Sequence, residues 1–285
     1  MTLRQALTQA SYQISANPDL RDDAQRDAEL LLLHVLHIDR ATLLAHPDSM
    51  LTAEDFAAYQ AAIERRFGNE PIQYITGQQE FFGLLLKVTP ATLIPRPETE
   101  HLVEAVLERV PHDREIDILD VGTGTGAIAL ALAANLPQAR LTAVDLSAGA
   151  LAVARENAST HHLDRRIRFF WSDLLATLPA DKQDAAFDAI VSNPPYIPET
   201  DRAELHPQVR DHEPAEALFA GTTGLDIYRR LIPQAHLALK PGGLLALEIG
   251  HGQSEALSGL LEGWQNVTLV ADLQQIPRVI LAQKA

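Results

Sequence analysis

Between residues 116 and 249 the chain alternates short apolar runs with helical stretches, and the turn after the first run reads Asp120-Val121-Gly122-Thr123-Gly124-Thr125-Gly126. That pairing limits the possible folds more than any other feature. A glycine-rich turn between a strand and a helix reverses the chain tightly and lets a ligand approach the backbone closely. Runs at 116–121, 141–144, 167–170, 187–191 and 244–249 read as buried strands, with helices at 127–136, 150–157 and 224–239 and a turn at Lys240-Pro241-Gly242-Gly243. Two further runs, 267–270 and 279–281, are expected to close the sheet as an antiparallel pair. Such alternation predicts an α/β fold, a Rossmann-like, mostly parallel sheet of seven strands with helices on both faces.

The spacing of the glycines narrows the ligand. A dinucleotide fingerprint is Gly-x-Gly-x-x-Gly, with a pyrophosphate on the helix N-terminus. Here it is Gly-x-Gly-x-Gly, with Asp120 two residues before Gly122. An acid at that place opposes a pyrophosphate and suits the ammonium group of a methionine moiety. Asp145 ends the second strand, 19 residues beyond Gly126, where a carboxylate can accept from both ribose hydroxyls of an adenosine; the alternative is an acid at the start of the following helix. Asp173 ends the third strand, placed to accept from an adenine amino group or to serve as a plain turn acid, and Leu174 is placed to cover the ring.

Asn193-Pro194-Pro195-Tyr196 follows the fourth strand, at the same carboxyl edge as the glycine loop. Two prolines restrict the backbone and remove two donors, so the Pro194 carbonyl can face a cleft without internal competition. Asn193 adds a second acceptor and Tyr196 a flat wall. An amide nitrogen is a poor nucleophile because its lone pair is delocalised. Two acceptors taking both N–H groups bias it towards tetrahedral geometry and expose the lone pair to a sulfonium methyl, so catalysis is mainly positioning and desolvation. The tetrapeptide defines a planar nitrogen acceptor, amide or adenine.

The first 70 residues contain no convincing strand and carry 11 acids and 6 bases, which reads as a small acidic helical bundle. Leu30, Leu31, Leu32, Val35 and Leu36 suit one helix face, and Thr52-Ala53-Glu54-Asp55 opens another helix. Gly68 and Pro71 break the pattern, and 71–93, with Tyr74, Ile75, Phe81, Phe82 and Val88, reads as a hairpin linking this bundle to a catalytic domain over 94–285. Glu98 starts an amphipathic helix. Arg96, Glu98 and Glu100 stand either at the methionine end of the cofactor or at a helix cap. Residues 197–223 form an irregular segment long enough to be a lid.

The 285 residues carry 23 basic and 38 acidic side chains, a net charge of -15. A basic surface is the usual footprint of a duplex binder, so this balance disfavours nucleic acid and favours a basic protein partner. There is no cysteine, which removes thiolate metal sites and cysteine nucleophiles. No His/Asp/Glu cluster has metal-ligand spacing, so no metal is expected. The beginning MTLRQALTQA lacks the charged and apolar regions of a signal peptide, and no apolar run is long enough for a bilayer; a cytoplasmic protein, without membrane attachment and monomeric, is expected.

Ile94-Pro95-Arg96-Pro97-Glu98-Thr99-Glu100, the glycine loop, Asn193 to Tyr196, Glu213-Pro214 with Ala217-Leu218, and Glu248-Ile249-Gly250 together resemble the protein-(glutamine N5) methyltransferases of peptide chain release factors, the PrmC/HemK family. The resemblance spans nearly the whole chain. It implies a class I methyltransferase domain using S-adenosylmethionine, with Asp120, Gly122, Thr123, Gly124, Thr125, Gly126, Asp145, Asp173, Leu174 and Asn193 at the cofactor. It further implies that Asn193, Pro194, Pro195 and Tyr196 hold the glutamine of a Gly-Gly-Gln loop, with the helical domain contacting the release factor. Asn193, Pro194 and Tyr196 are the expected catalytic residues. The alternative is an adenine-N6 methyltransferase of DNA or RNA, which shares the Asn-Pro-Pro-Tyr tetrapeptide.

Overall fold

The computed structural model describes residues 1–179, 182–272 and 274–285, and the chain divides into two compact units. The first comprises Met1–Gln78 together with Glu204–His212. Its helices are Leu3–Ser15, Ala24–Leu36, Arg40–Ala45, Ala53–Phe67, Ile72–Thr76 and the single turn Pro207–Arg210. Local signals start them. Thr2 and Gln5 form a reciprocal capping box, and the Thr52 hydroxyl accepts from the Asp55 N–H at 3.1 Å. Ala6, Ala10, Ile14, Ala28, Leu31, Leu32, Tyr59 and Ile63 make the core. Leu31 and Leu32 point inward as the periodicity predicts, whereas Leu30 faces solvent. Tyr74 and Ile75, read as part of a hairpin, lie in a short helix that Pro71 introduces and Gly77 ends.

A buried ion pair ties this unit together. Arg66 Nε donates to Asp27 Oδ2 at 2.6 Å, with both side chains 5% exposed, and Arg66 Nη1 reaches the Glu70 carbonyl and Gln208 Oε1. Removing one partner of a buried pair leaves an uncompensated charge, at a cost of about 3–5 kcal/mol. Asp27→Ala should therefore lower stability in urea unfolding by about that much, and the apolar double change Asp27→Leu with Arg66→Met should restore most of it. Equal losses in the single and double variants would show that the pair is not what the site depends on.

The second unit comprises Gln79–Ala203 and Glu213–Ala285. A hairpin of β1 (Gln78–Phe81) and β2 (Leu84–Lys87) precedes β3 (Asp117–Val121), β4 (Arg140–Asp145), β5 (Ile167–Trp171), β6 (Phe187–Ser192), β7 (Leu239–Glu248), β8 (Gln265–Ala271) and β9 (Pro277–Gln283). Among the described residues the sheet has seven strands in the order β5-β4-β3-β6-β7-β9-β8, parallel from β5 to β7 and antiparallel at β9 and β8. The topology matches the expected doubly wound sheet. One boundary differs: the Lys240-Pro241-Gly242-Gly243 turn is absorbed into β7, where pairing with β6 resumes after an irregularity between Phe187 and Ala189. Apolar residues fill both faces, including Leu130 and Ala143 on one and Ile190 and Leu245 on the other.

Order reverses between β3 and β6, where crossovers leave in opposite directions and their carboxyl ends part. Open α/β sheets bind ligands at such a switch point. Among the described residues no helix is long and apolar enough to cross a membrane.

Candidate functional site

A cleft of about 490 Å³ opens at the carboxyl ends of β3, β4, β5 and β6, within the range of small-molecule and cofactor sites. The glycine loop forms one wall. Gly122, Gly124 and Gly126 have φ of 74°, 55° and 85°, a region that costs a side-chain-bearing residue about 1–2 kcal/mol. A Cβ on Gly126 would also press on its neighbours, 3.2 Å from Leu130 and 3.3 Å from Ala154. Gly122, Thr123, Gly124 and Thr125 line the cleft.

Asp145 ends β4 at the cleft. Its Oδ2 accepts from the Gly124 N–H and its Oδ1 from the Ser147 N–H, each at 2.8 Å, and burial raises its pKa. The carboxylate thus holds the glycine loop and the start of the next helix while each oxygen keeps a lone pair for a ligand. Asp173 and Leu174 line the next wall. Asp173 is bound by Arg230 Nη2 at 2.6 Å, a partner with no local sequence signal, and Leu174 adopts φ 52°, unusual for a branched apolar residue.

Asn193, Pro194 and Pro195 line the opposite side. Asn193 Nδ2 donates to Thr99 Oγ1 at 3.0 Å. Among the described residues neither Asn193 Oδ1 nor the Pro194 carbonyl receives a hydrogen bond from the protein. Two neighbouring acceptors are therefore open at the cleft.

Asp120 and Tyr196 are placed differently from the sequence expectation, and neither lines this cleft. Asp120 lies beneath the glycine loop, fully buried. Its Oδ2 accepts from the Thr123 hydroxyl at 2.6 Å, its Oδ1 receives no well-formed hydrogen bond among the described residues, and burial pushes its pKa up to about 7. It props the loop from behind, because strand alternation turns the residue before Val121 into the protein. The Tyr196 ring packs on the core of the sheet, and its hydroxyl is 3.4 Å from Glu248 Oε1. It supports the tetrapeptide from behind.

The segment ahead of the glycine loop supplies contacts the sequence left open. Arg96 lines the cleft and its guanidinium pairs with the buried Glu213, whose other oxygen accepts from the Ile94 N–H at 3.1 Å. Glu100 accepts from the Phe82 N–H at 2.8 Å and so supports the hairpin turn. Glu98 is exposed. Arg230 escaped the motif reading, while Thr99, Glu213 and Glu248 stood inside the motifs that carry the resemblance without a role assigned to them. An acid closing the apolar run Leu244-Leu245-Ala246-Leu247 was the available hint for Glu248, and Thr99 lay hidden inside the longer motif.

The donor set suits a nucleoside joined to an amino acid: backbone amides and a carboxylate at one end, apolar Leu174 at a wall, and the Asn193 acceptor at the far side. The PrmC N-terminal domain family matches residues 5–77, and the methyltransferase small domain family matches residues 99–208. A release factor glutamine methyltransferase from Koribacter versatilis is 45% identical over all of this chain and 99% of its own length. One of the same description from Moorella thermoacetica is 44% identical, again over 100% of this chain and 99% of its own. Solved structures share the fold: the hMettl16 catalytic domain in complex with the MAT2A 3'UTR hairpin 6 has a TM-score of 0.57 at 18% identity, covering 84% of this chain and 85% of that one. The Thermus thermophilus 16S rRNA N2 G1207 methyltransferase, in complex with AdoMet and guanosine, has a TM-score of 0.53 at 22% identity, over 73% and 50%.

Proposed function

The chain belongs to the release factor glutamine methyltransferases, and on that footing we propose that it methylates the side-chain amide nitrogen of the glutamine in the Gly-Gly-Gln loop of class 1 peptide chain release factors, with S-adenosylmethionine as donor. The observation that carries the acceptor assignment is the pair of open acceptors at Asn193 Oδ1 and the Pro194 carbonyl.

Bound S-adenosylmethionine supplies an electrophilic methyl on sulfur. Gly122 to Thr125 would cradle it, with Asp145 to hold the ribose, Leu174 to cover the adenine and Asp173 to accept from its amino group, while Gly126, which does not line the cleft, packs the loop on Leu130 and Ala154. Asp120 keeps Thr123 and the loop in register. Asn193 and Pro194 take the two N–H groups of the glutamine amide, which holds the nitrogen lone pair towards the methyl. The nitrogen sheds its proton only once the new bond has formed, so the protein needs no strong base before transfer. Desolvation between Pro195, Leu174 and the loop strengthens both hydrogen bonds. The helical unit, with a basic partner suited to the net charge of -15, is the proposed contact for the body of the release factor.

Labelled S-adenosylmethionine offered with a release factor, with its loop Gln→Ala variant, and separately with duplex DNA gives a direct test. Label is expected on the intact release factor alone. Equal label on the Gln→Ala variant, or transfer to DNA in place of protein, would overturn the assignment.

A further inference from the structure

Three carboxylates line the cleft, Asp145, Asp173 and Glu216, and among the described residues only two basic side chains do, Arg96 and Arg230. Arg230 is bound to Asp173 at 2.6 Å, on the wall assigned to the adenine. Arg96 stands at the other end. It opens the turn Pro97–Thr99, and the Thr99 hydroxyl accepts from Asn193 Nδ2 at 3.0 Å, just beyond β6. The sheet order β5-β4-β3-β6 lays the cleft out in sequence, with Asp173 after β5, Asp145 at the end of β4, the glycine loop after β3 and Asn193 after β6.

Arg96 is anchored. Its Nη2 donates to Glu213 Oε1, and the Glu213 side chain is wholly buried while that of Arg96 is 31% exposed. Glu213 Oε2 accepts from the Ile94 N–H at 3.1 Å, so one carboxylate fixes both the guanidinium and the backbone that carries it. A guanidinium holds its N–H donors in a planar fork and accepts nothing. Among the described residues Glu213 is the only hydrogen-bond partner of the Arg96 side chain, and one N–H satisfies it. The remaining donors are ordered and unused at the cleft.

S-adenosylmethionine carries an α-carboxylate at the end away from its adenine. With the adenine at Asp173 and Leu174 and the ribose at Asp145, the methionine part extends towards the β6 end, where Arg96 stands. An anion brought among three carboxylates is costly unless it is paired, and Arg230 is already committed at the opposite wall. We infer that Arg96, anchored by Glu213, binds the α-carboxylate of the cofactor and so selects a donor that keeps this group. The inference rests on the S-adenosylmethionine reading given above. A fork of N–H donors matches the two oxygens of a carboxylate and gains from its charge. A main-chain carbonyl of the substrate loop offers a single neutral oxygen and fits the fork less well.

The test is calorimetric titration of the full chain with S-adenosylmethionine and with decarboxylated S-adenosylmethionine, which lacks only the α-carboxylate. The wild type should bind the decarboxylated form about 10- to 100-fold more weakly, the range of hydrogen bonds to a charged group. Arg96→Ala would leave Glu213 buried and unpaired, so two gentler changes are used. Arg96→Lys keeps a cation beside Glu213 and loses the fork. The double change Arg96→Met with Glu213→Gln removes one charge of each sign, so the net charge at the cleft is unaltered. Each should weaken S-adenosylmethionine binding by about tenfold or more and shift the decarboxylated form by less than about threefold, with the melting temperature showing an intact fold. Equal losses for both ligands would overturn the inference, because Arg96 would then shape the cleft without reading a carboxylate. Unchanged affinity for both would overturn it as well, and a raised KM for the release factor beside it would place Arg96 at the peptide substrate. If the wild type binds neither ligand, the cofactor reading itself fails.

Discussion

Asn193→Ala is expected to abolish measurable methyl transfer to the release factor, a loss of about 100- to 1,000-fold or more by analogy with deleting one preorganised hydrogen-bonding group from an active site. The side chain contributes one of two acceptors open at the cleft, and its Nδ2 is tied to Thr99. Alanine removes the acceptor and leaves the Pro194 carbonyl to hold the amide alone, so the nitrogen is free to rotate away from the methyl. The glycine loop, Asp145 and Leu174 are untouched, and cofactor affinity should stay within about tenfold, roughly 1.4 kcal/mol. Calorimetric titration of the cofactor and a labelled-transfer assay on the same preparation separate the two effects. A collapse of cofactor binding with little change in turnover would mean that Asn193 serves the cofactor and not the amide.

A comparable loss is expected from a residue that never enters the cleft. Gly224 has φ 70°, and a Cβ built on it would stand 2.2 Å from the Tyr196 carbonyl oxygen and 2.8 Å from Gln253 Nε2. The same Nε2 donates to that carbonyl at 2.9 Å, while Gln253 Oε1 accepts from the Gly250 N–H at 2.9 Å. Gln253 and the bare Gly224 backbone thus clamp the exit of the Asn-Pro-Pro-Tyr loop. Gly224→Ala must displace backbone, since the nearest atom is a carbonyl oxygen and not the tip of a flexible side chain. A shift of about 1 Å in the amide-holding groups can cost on the order of 100-fold in rate. Stability should also fall, by about 1–2 kcal/mol from the backbone conformation and further from the clash. Gly242→Ala is the control. Its φ of 74° imposes similar strain with nothing within 4 Å of the new Cβ, so it should lower the melting temperature and leave transfer unchanged. If both variants transfer normally, the loop tolerates displacement and the clamp is unimportant to catalysis.

These expectations show where residue patterns sufficed. A mostly parallel sheet closed by an antiparallel pair could be anticipated because buried parallel strands are short apolar runs separated by helices. The glycine loop and Asn193 to Tyr196 were readable for a similar reason: each is a continuous segment whose backbone chemistry is set by its own glycines or prolines. Boundaries were less legible. Tyr74 and Ile75 have strand-favouring side chains, yet a helix forms because Pro71 and Gly77 bracket five residues that bury Tyr74 and Ile75. Pro241 and the two glycines after it read as a turn, yet backbone pairing carries β7 through them.

Long-range pairing was not legible at all. The irregular 197–223 segment contributes 204–212 to the helical unit, where Gln208 bonds Arg66, His206 bonds the Asp19 carbonyl and His212 bonds the Gly68 carbonyl. No local periodicity encodes such contacts, since each depends on one side chain meeting a distant backbone.

Sequence alone determined the architecture and the two loops that face the cleft, because periodicity, glycine spacing and proline pairs act within a few residues. Tertiary structure decided which groups stand in the front row and which behind. It put Asp120 under the loop and Tyr196 beside the buried Glu248, joined Arg96 to Glu213, and brought Thr99 to the back of Asn193. The direction in which a carboxamide faces depends on the donors and acceptors around it, and those come from segments that only the packed sheet brings together.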